Sequence, residues 1–555
     1  MSNAAILFHS EAFDTGHGKL MGRHAAGESF LRGYLRHAQV DQFYLWNWGN
    51  EPVGRLQELV RAIEPTKKPI TWIGQREPPR FAEPGTLFVS SPANAPEAWN
   101  RRLIGPTRYS ICGLTHTTAS GGVMDTILDM LTAPVEPWDS LICTSRAVRD
   151  STETQFAMTL EYLRERLGPI SPPPLRVDVI PLGVNTSDFA RSDQSRRDWR
   201  ERLGVGEEAI VVLYVGRFSA HAKMNPVPMA MALEKAAKRT RRPVHWVMSG
   251  WAASDLLHAS FTGAARRFAP SVQAHILDGR KPEVRFPIWS AADIFLSLSD
   301  NIQETFGLTP LEAMAAGLPT VVSDWDGYRD LVRHQVDGFR IPTLAPRPGL
   351  GGDIAFAHAN GFESYDRYIG TTSQFAAADV DAAAEALVTL IENDDLRLRM
   401  GRSAQERART TFDWATIVPQ YQALWDELGQ IRRAAPPKPP GSANPRRPDP
   451  FTLFAGYPTR ALERSAKVAA TPGGNAAAAL AVLKDPTVSY AVLALPTEPI
   501  IARVFDLLAA RGEATVAEVI EHFPPAQRGM VERGLLWLAK FGLVTISPRP
   551  IIPQP

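Results

Sequence analysis

Cysteine is nearly missing from this chain: Cys112 and Cys143 are the whole complement of 555 residues. Two thiols cannot staple a fold of this length, so a disulfide framework is excluded and reduced thiols in a cytoplasmic protein are expected. An excess of one charge is missing too. Sixty Lys and Arg stand against 59 Asp and Glu, a net charge of +1. A dedicated nucleic-acid binder carries a marked basic excess, so that class is disfavoured. No apolar run approaches the roughly 18–20 residues that cross a bilayer. The opening MSNAAILFHSE has no basic n-region and too short an apolar core for a secretory signal. One basic cluster, Lys235, Lys238, Arg239, Arg241 and Arg242, offers a peripheral contact with an inner membrane face, although a solvated helix end explains it as well. What remains is ordinary globular material, 44% hydrophobic and 21% charged, long enough for two or three domains.

One stretch organises the rest. Residues 300–330 read DNIQETFGLTPLEAMAAGLPTVVSDWDGYRD. The apolar run IFLSL before it and PTVV within it are short buried strands, and LEAMAA between them is helix-forming. Glu304 stands before the turn and Glu312 inside the helix. Thr309 is placed to cap that helix, Pro310 to open it, and Glu312 to complete a capping box. Free amides at the helix start form an anion site, and Gly307 would let a ligand approach the backbone. A carboxylate on either side of a phosphate site suits a sugar nucleotide, which is hydroxyls, diphosphate, hydroxyls. Taken singly, Glu312 is explained by capping and Glu304 by a solvated loop.

The complete string resembles the signature of the family-4 retaining glycosyltransferases: Glu, seven residues, Glu, with Phe306-Gly307 between and Ala313-Met314-Ala315 to Pro319 after. The resemblance covers about the first 430 residues. It implies an α/β chain of the GT-B class, two Rossmann-like domains facing a cleft. It also implies transfer of a sugar from a nucleotide-sugar donor to an acceptor (a glycan, lipid or small molecule), with retention at the anomeric carbon, no cofactor and no metal ion. Other readings of the same residues are a sugar-nucleotide epimerase and a non-catalytic nucleotide-sugar scaffold.

Strand–helix alternation predicts the first domain over residues 1–195. A strand at 4–9 leads into the glycines Gly16, Gly18 and Gly22, then a helix beyond Gly27. The resemblance puts this loop beside the diphosphate, with Gly18 the donor-side candidate. A strand from Tyr109 runs toward His116, which by itself is as well explained as structural; the resemblance sets it beside sugar and acceptor. IPLGV at 180–184 resembles the turn that closes the family's first domain.

A second domain is predicted over 196–412. Its clearest strand, AIVVLYVG, ends at Arg217, with Lys223 six residues on. Arg forks onto phosphate oxygens and Lys is a compact positive charge, each charge-assisted bond contributing about 1.5–3 kcal/mol. In the resemblance these two hold the diphosphate and stabilise the leaving nucleotide. Glu304 then binds sugar hydroxyls, Glu312 the ribose, and the backbone at Phe306, Gly307 and Leu308 assists. Residues 343–378 depart from the family, which passes directly to a helix, and read as a long inserted loop. A helix at 413–431 is expected to cross back to the first domain.

Residues 432–450 contain seven prolines in 19, a stiff linker. Beyond it, 451–555 lies outside the resemblance. Its first part is Ala-rich and has no readable pattern. From about 499, three helices and a strand predict a winged-helix-like module. Its six acids and six bases over residues 497–555 argue against DNA and for protein contact or self-association.

Overall fold

The structure, a computed structural model, describes residues 2–13 and 22–548, with the backbone alone at Gly22 and Arg23. Contacts divide the chain into two units, 1–443 and 444–555.

The first unit contains two parallel sheets. The first has seven strands: β1 (Ala5–Phe8), β2 (Phe43–Asn47), β3 (Ile70–Gly74), β4 (Thr86–Val89), β5 (Ser110–Leu114), β6 (Ser140–Cys143) and β7 (Arg176–Val179). Their order is β3-β2-β1-β4-β5-β6-β7. The second sheet has six: β8 (Ile210–Val215), β9 (Val244–Gly250), β10 (Gln273–Asp278), β11 (Ile294–Ser297), β12 (Thr320–Ser323) and β13 (Gly338–Ile341), ordered β10-β9-β8-β11-β12-β13. The central strands read as apolar runs because helices cover both faces, and β2, β4, β5, β6, β9, β11 and β12 are buried along their whole length. Each sheet reverses winding direction once, between β1 and β4 and between β8 and β11. In open α/β sheets the crevice beyond the strand ends at such a reversal is the binding site. These are the two Rossmann-like sheets of the GT-B class.

The chain returns to the first sheet through the helix Trp414–Ala434, capped by Asp413. The Trp414 ring lies against two glycines: a methyl group added at Gly33 would come within 2.3 Å of it and one at Gly183 within 2.7 Å. Trp414 also donates Nε1–H to Ser29 Oγ at 2.8 Å. The glycine of the IPLGV turn therefore serves close packing. Ile417, Tyr421, Trp425 and Leu428 continue the buried face of this helix.

The proline-rich segment starts as a strap docked on the first domain rather than as a free spacer. Lys438 pairs with Glu136 at 2.6 Å, and the Gly441 amide donates to the Arg102 carbonyl at 2.8 Å.

Residues 343–378 are helical, which corrects the expectation of a loop. Thr343–Leu344 (β14) pairs antiparallel with Ala377–Ala378 (β15), so the segment leaves and returns at one point. Between them lie the helices Gly352–Ala359 and Tyr365–Ser373.

The second unit has helices Glu498–Arg511, Val516–Glu521 and Pro525–Lys540 with a three-stranded sheet, β16 (Lys467–Ala470), β17 (Glu513–Thr515) and β18 (Val544–Ser547), in the order β17-β16-β18. This is a winged-helix-like arrangement. Its central strand β16 comes from the Ala-rich part upstream of residue 499, so the module starts earlier than the helical pattern shows. Of the four β16 residues only Val468 is fully buried, which is too short a pattern to read.

Candidate functional site

β8 and β11 flank the winding reversal of the second sheet, and the predicted site residues emerge from their ends. Lys223 Nζ lies 3.2 Å from Glu304 Oε2, both side chains partly buried. Burial alone would raise the Glu304 carboxyl, but Lys223 and the Thr305 and Phe306 amides outweigh it and hold it below its usual range. Arg217 follows β8. Its Nε is buried without a partner among the described residues. Its carbonyl accepts from the Tyr214 hydroxyl at 3.1 Å, and that hydroxyl feels the charges of Arg217, Glu304 and Asp300. Arg217, Lys223 and Glu304 are thus brought together.

His116 reaches the same place from the first domain, two residues beyond β5. Its carbonyl accepts from Thr305 Oγ1 at 2.9 Å, and the Thr305 carbonyl accepts from Thr144 Oγ1 at 3.1 Å. Ser145 Oγ donates to Asp326 Oδ1 at 3.2 Å, and Arg146 Nε donates to Asp330 Oδ1 at 2.7 Å. The turn carrying Glu304 is therefore bonded to the ends of β5 and β6. His116 also lines a cavity of about 280 Å³ in the first domain, with His9, Glu11, His24, Phe88 and Leu182.

The expected capping of the helix does not hold. The helix starts at Leu308, its N-cap is Gly307, and no side chain caps it, so Thr309 and Glu312 form no capping box. The reason is that Gly307 reaches φ +108°, which begins the helix at Leu308, one residue before the Thr-Pro pair. On the side where a Cβ would stand, Gly307 faces protein: an added methyl would come within 2.5 Å of the Tyr328 ring, whose hydroxyl lies 3.0 Å from Ser297 Oγ. Phe306 is a core residue, 2% exposed and packed on Phe412. Leu308 packs partly buried on the same core. Gly18 lies outside the described residues.

Glu312 stays half-buried on the helix. Burial pushes its carboxyl up to about 7, opposed by the charge of Arg285. Two further carboxyls beside the site were missed by sequence reasoning. Asp326 is pushed up to about 8, by burial first and by Glu304 second. Asp300 is pushed up to about 7 by burial; its Oδ2 accepts from the Asn225 amide at 3.3 Å, and Oδ1 is buried without a partner among the described residues. Asp326 sits in the left-handed region, φ +45°, a conformation that Asp and Asn tolerate best among non-glycine residues. The sequence signal for both was a carboxylate just past the end of an apolar strand.

The basic cluster proposed for a membrane is largely neutralised. Lys238 pairs with Glu234 at 2.9 Å and Arg239 with Glu385 at 2.6 Å, while Lys235 pairs with Asp381 and Arg242 with Asp394. Among the described residues no helix is long and apolar enough to cross a membrane.

With this geometry in view, the chain was compared with known proteins. The model of the family described as glycosyl transferases group 1 matches residues 195–346. The D-inositol 3-phosphate glycosyltransferase of Corynebacterium efficiens is 26% identical over 289 residues, 52% of this chain and 59% of that protein. The protein of the same name from Actinosynnema mirum is 31% identical over 224 residues, 37% of this chain and 52% of that protein. The chain thus spans about three fifths of the length of the first relatives it matches. Among solved structures, Anabaena HepE in complex with UDP and glucose shares 16% identity, with 77% of this chain and all of that one covered at a TM-score of 0.48. Sucrose-phosphate synthase of Thermosynechococcus elongatus shares 15%, with 78% of this chain and all of that one covered at a TM-score of 0.47. The segment that carries Arg217, Lys223, Glu304 and Glu312 is the one that matches the glycosyl transferases group 1 model.

Proposed function

We propose that the chain transfers a sugar from a nucleotide-sugar donor to a hydroxylated acceptor, with retention at the anomeric carbon and without a metal ion. The observation that carries this reading is the Lys223–Glu304 pair at 3.2 Å beside the end of β8. Three supports stand around it: the incompletely partnered Arg217 guanidinium, the winding reversal of the sheet, and the group 1 family match.

In this reading Arg217 and Lys223 supply the charge that a diphosphate requires as it leaves. Glu304 holds Lys223 in place while the site is empty. When a diphosphate takes Lys223, Glu304 is released as an ionised acceptor for sugar hydroxyls. Glu312 binds the ribose. His116 faces sugar and acceptor from the first domain, where the cavity beside it takes the acceptor. The names of the relatives make inositol 3-phosphate the first acceptor to try. We place the protein in the cytoplasm, where Cys112 and Cys143, both buried, stay reduced.

A mass-spectrometric screen of UDP-, GDP- and ADP-sugars for donor hydrolysis and for transfer tests the reading. One donor is expected to be consumed, and turnover is expected to survive a chelator. Turnover by Glu304→Ala and Arg217→Ala at the wild-type rate would refute the site. Full loss on chelation would refute metal independence.

A further inference from the structure

The inserted helices do more than decorate the second domain. Ile369 is fully buried in a small apolar cluster with Ala119 of the first domain and Ala222 of the second, flanked by Ile302, Tyr365 and Tyr368. Ala222 precedes Lys223, and Ala119 lies three residues beyond His116. The Tyr365 hydroxyl accepts from Gln303 Nε2 at 2.9 Å, one residue before Glu304. Asp366 Oδ2 lies 3.7 Å from His221 Nε2. The helix also presses on the His221 backbone, where a methyl group added at Gly370 would lie 2.8 Å from His221 Cβ.

Both site loops are themselves joined beneath this helix. Asn301 Nδ2 donates to the His221 carbonyl at 2.7 Å, and the Gln303 amide donates to Asn301 Oδ1 at 2.9 Å. His358, on the first inserted helix, stacks on Tyr368 at 4.5 Å and approaches Gly121 of the first domain. The outer side of the insertion is different: Phe356 and Phe362 are exposed, their ring centroids 6.1 Å apart. The family match ends at residue 346, where this excursion starts.

We propose that the inserted helix Tyr365–Ser373 is a clip that sets the geometry of the donor site. Tyr365 and Ile369 act as positioning residues: they hold the Lys223 loop and the Glu304 turn in register and fasten both to the first domain at Ala119. The insertion thereby limits which donors fit, because the Lys223–Glu304 spacing is fixed from outside the two Rossmann domains. The proposal deepens the donor-site reading above and rests on it for the ligand.

The test uses the full chain and two readouts. Hydrogen exchange is measured over residues 219–225 and 301–305 without ligand, and the affinities of UDP, GDP and ADP are measured by titration calorimetry. Tyr365→Phe and Ile369→Ala are expected to accelerate exchange in both segments. They are expected to weaken the bound diphosphate by about tenfold, within the span that packed networks transmit. Ile369→Val restores both readouts, and Phe362→Ala leaves both at wild type. Exchange unchanged in Tyr365→Phe and Ile369→Ala overturns the clip, whatever the affinities. Faster exchange with unchanged affinity overturns its role in positioning the site. A wild-type chain that binds none of the three diphosphates refutes the donor-site reading instead, and the exchange data still decide whether the clip holds the two loops.

Discussion

Two acid–base pairs, one in each Rossmann-like domain, show how the same chemistry is used for different ends. Arg101 and Asp139 are wholly buried, joined by two bonds of 2.5 and 2.6 Å. Most of their polar atoms are used within the fold: Arg101 Nη1 also donates to the Tyr109 carbonyl, and Asp139 accepts from the Ile111 and Glu136 amides, while Arg101 Nε is buried without a partner among the described residues. Lys223 and Glu304 meet at 3.2 Å with 30% and 15% of their side chains exposed. A lysine is a point charge with three donors, and among the described residues its ammonium bonds one side chain, that of Glu304. The first pair is closed and therefore structural. The second is open on one side and can exchange its partner for an anion. The difference lies in access: the first pair is sealed from solvent and the second is not.

The sharpest way to break this comparison is to remove one member of the closed pair. Arg101→Ala leaves a buried carboxylate uncompensated and is expected to cost about 3–5 kcal/mol, a large part of the ~5–15 kcal/mol of a typical domain. Urea unfolding measures it, and the protein that remains folded keeps its turnover. Lys223→Ala is expected to do the reverse. It should lower kcat by about 10²–10³-fold while the unfolding midpoint barely moves, since a partly exposed pair contributes at most ~1 kcal/mol.

Gly307→Ala lies between these extremes. The left-handed backbone and the Tyr328 ring both oppose a side chain there, so about 1–3 kcal/mol of stability is expected to go, together with activity. An intact Gly307→Ala protein would show that the helix start does not depend on that conformation. The smallest effect concerns pH. Glu312 is pushed from 4.5 up to about 7, so through that window the folded chain holds a proton that the unfolded chain has released. Stability therefore falls as pH rises from 4.5 to 7. Glu312→Gln is expected to reduce that slope, to which Asp300 and Asp326 also contribute, and to gain on the order of 1 kcal/mol at pH 8. An unchanged slope in the variant would remove Glu312 as its source.

The legible parts of this fold were those written in runs. β8 is six apolar residues in a row, and the GT-B class followed from such runs alternating with helices. The site was legible at Arg217, Lys223 and Glu304 because charged residues just past a strand end have few structural reasons to be there. The packing around Phe306 and Gly307 was not legible because a local string does not show what packs on it; Tyr328, which lies against Gly307, is 21 residues away in sequence. The Arg101–Asp139 pair spans 38 residues and leaves no local trace. The insertion was unreadable as helices because their buried residues, chiefly Ile369, Gly370 and Ser373, face two separate domains and not one core.

The central claim is that Glu304 occupies Lys223 until a diphosphate displaces it. Calorimetric titration of the preferred nucleoside diphosphate into Lys223→Ala and Glu304→Ala tests it most directly. The account predicts that Lys223→Ala loses most of its affinity, while Glu304→Ala, with its lysine released, binds the diphosphate at least as tightly as wild type and yet transfers no sugar. Wild-type affinity in Lys223→Ala, or weaker diphosphate binding in Glu304→Ala, would contradict it.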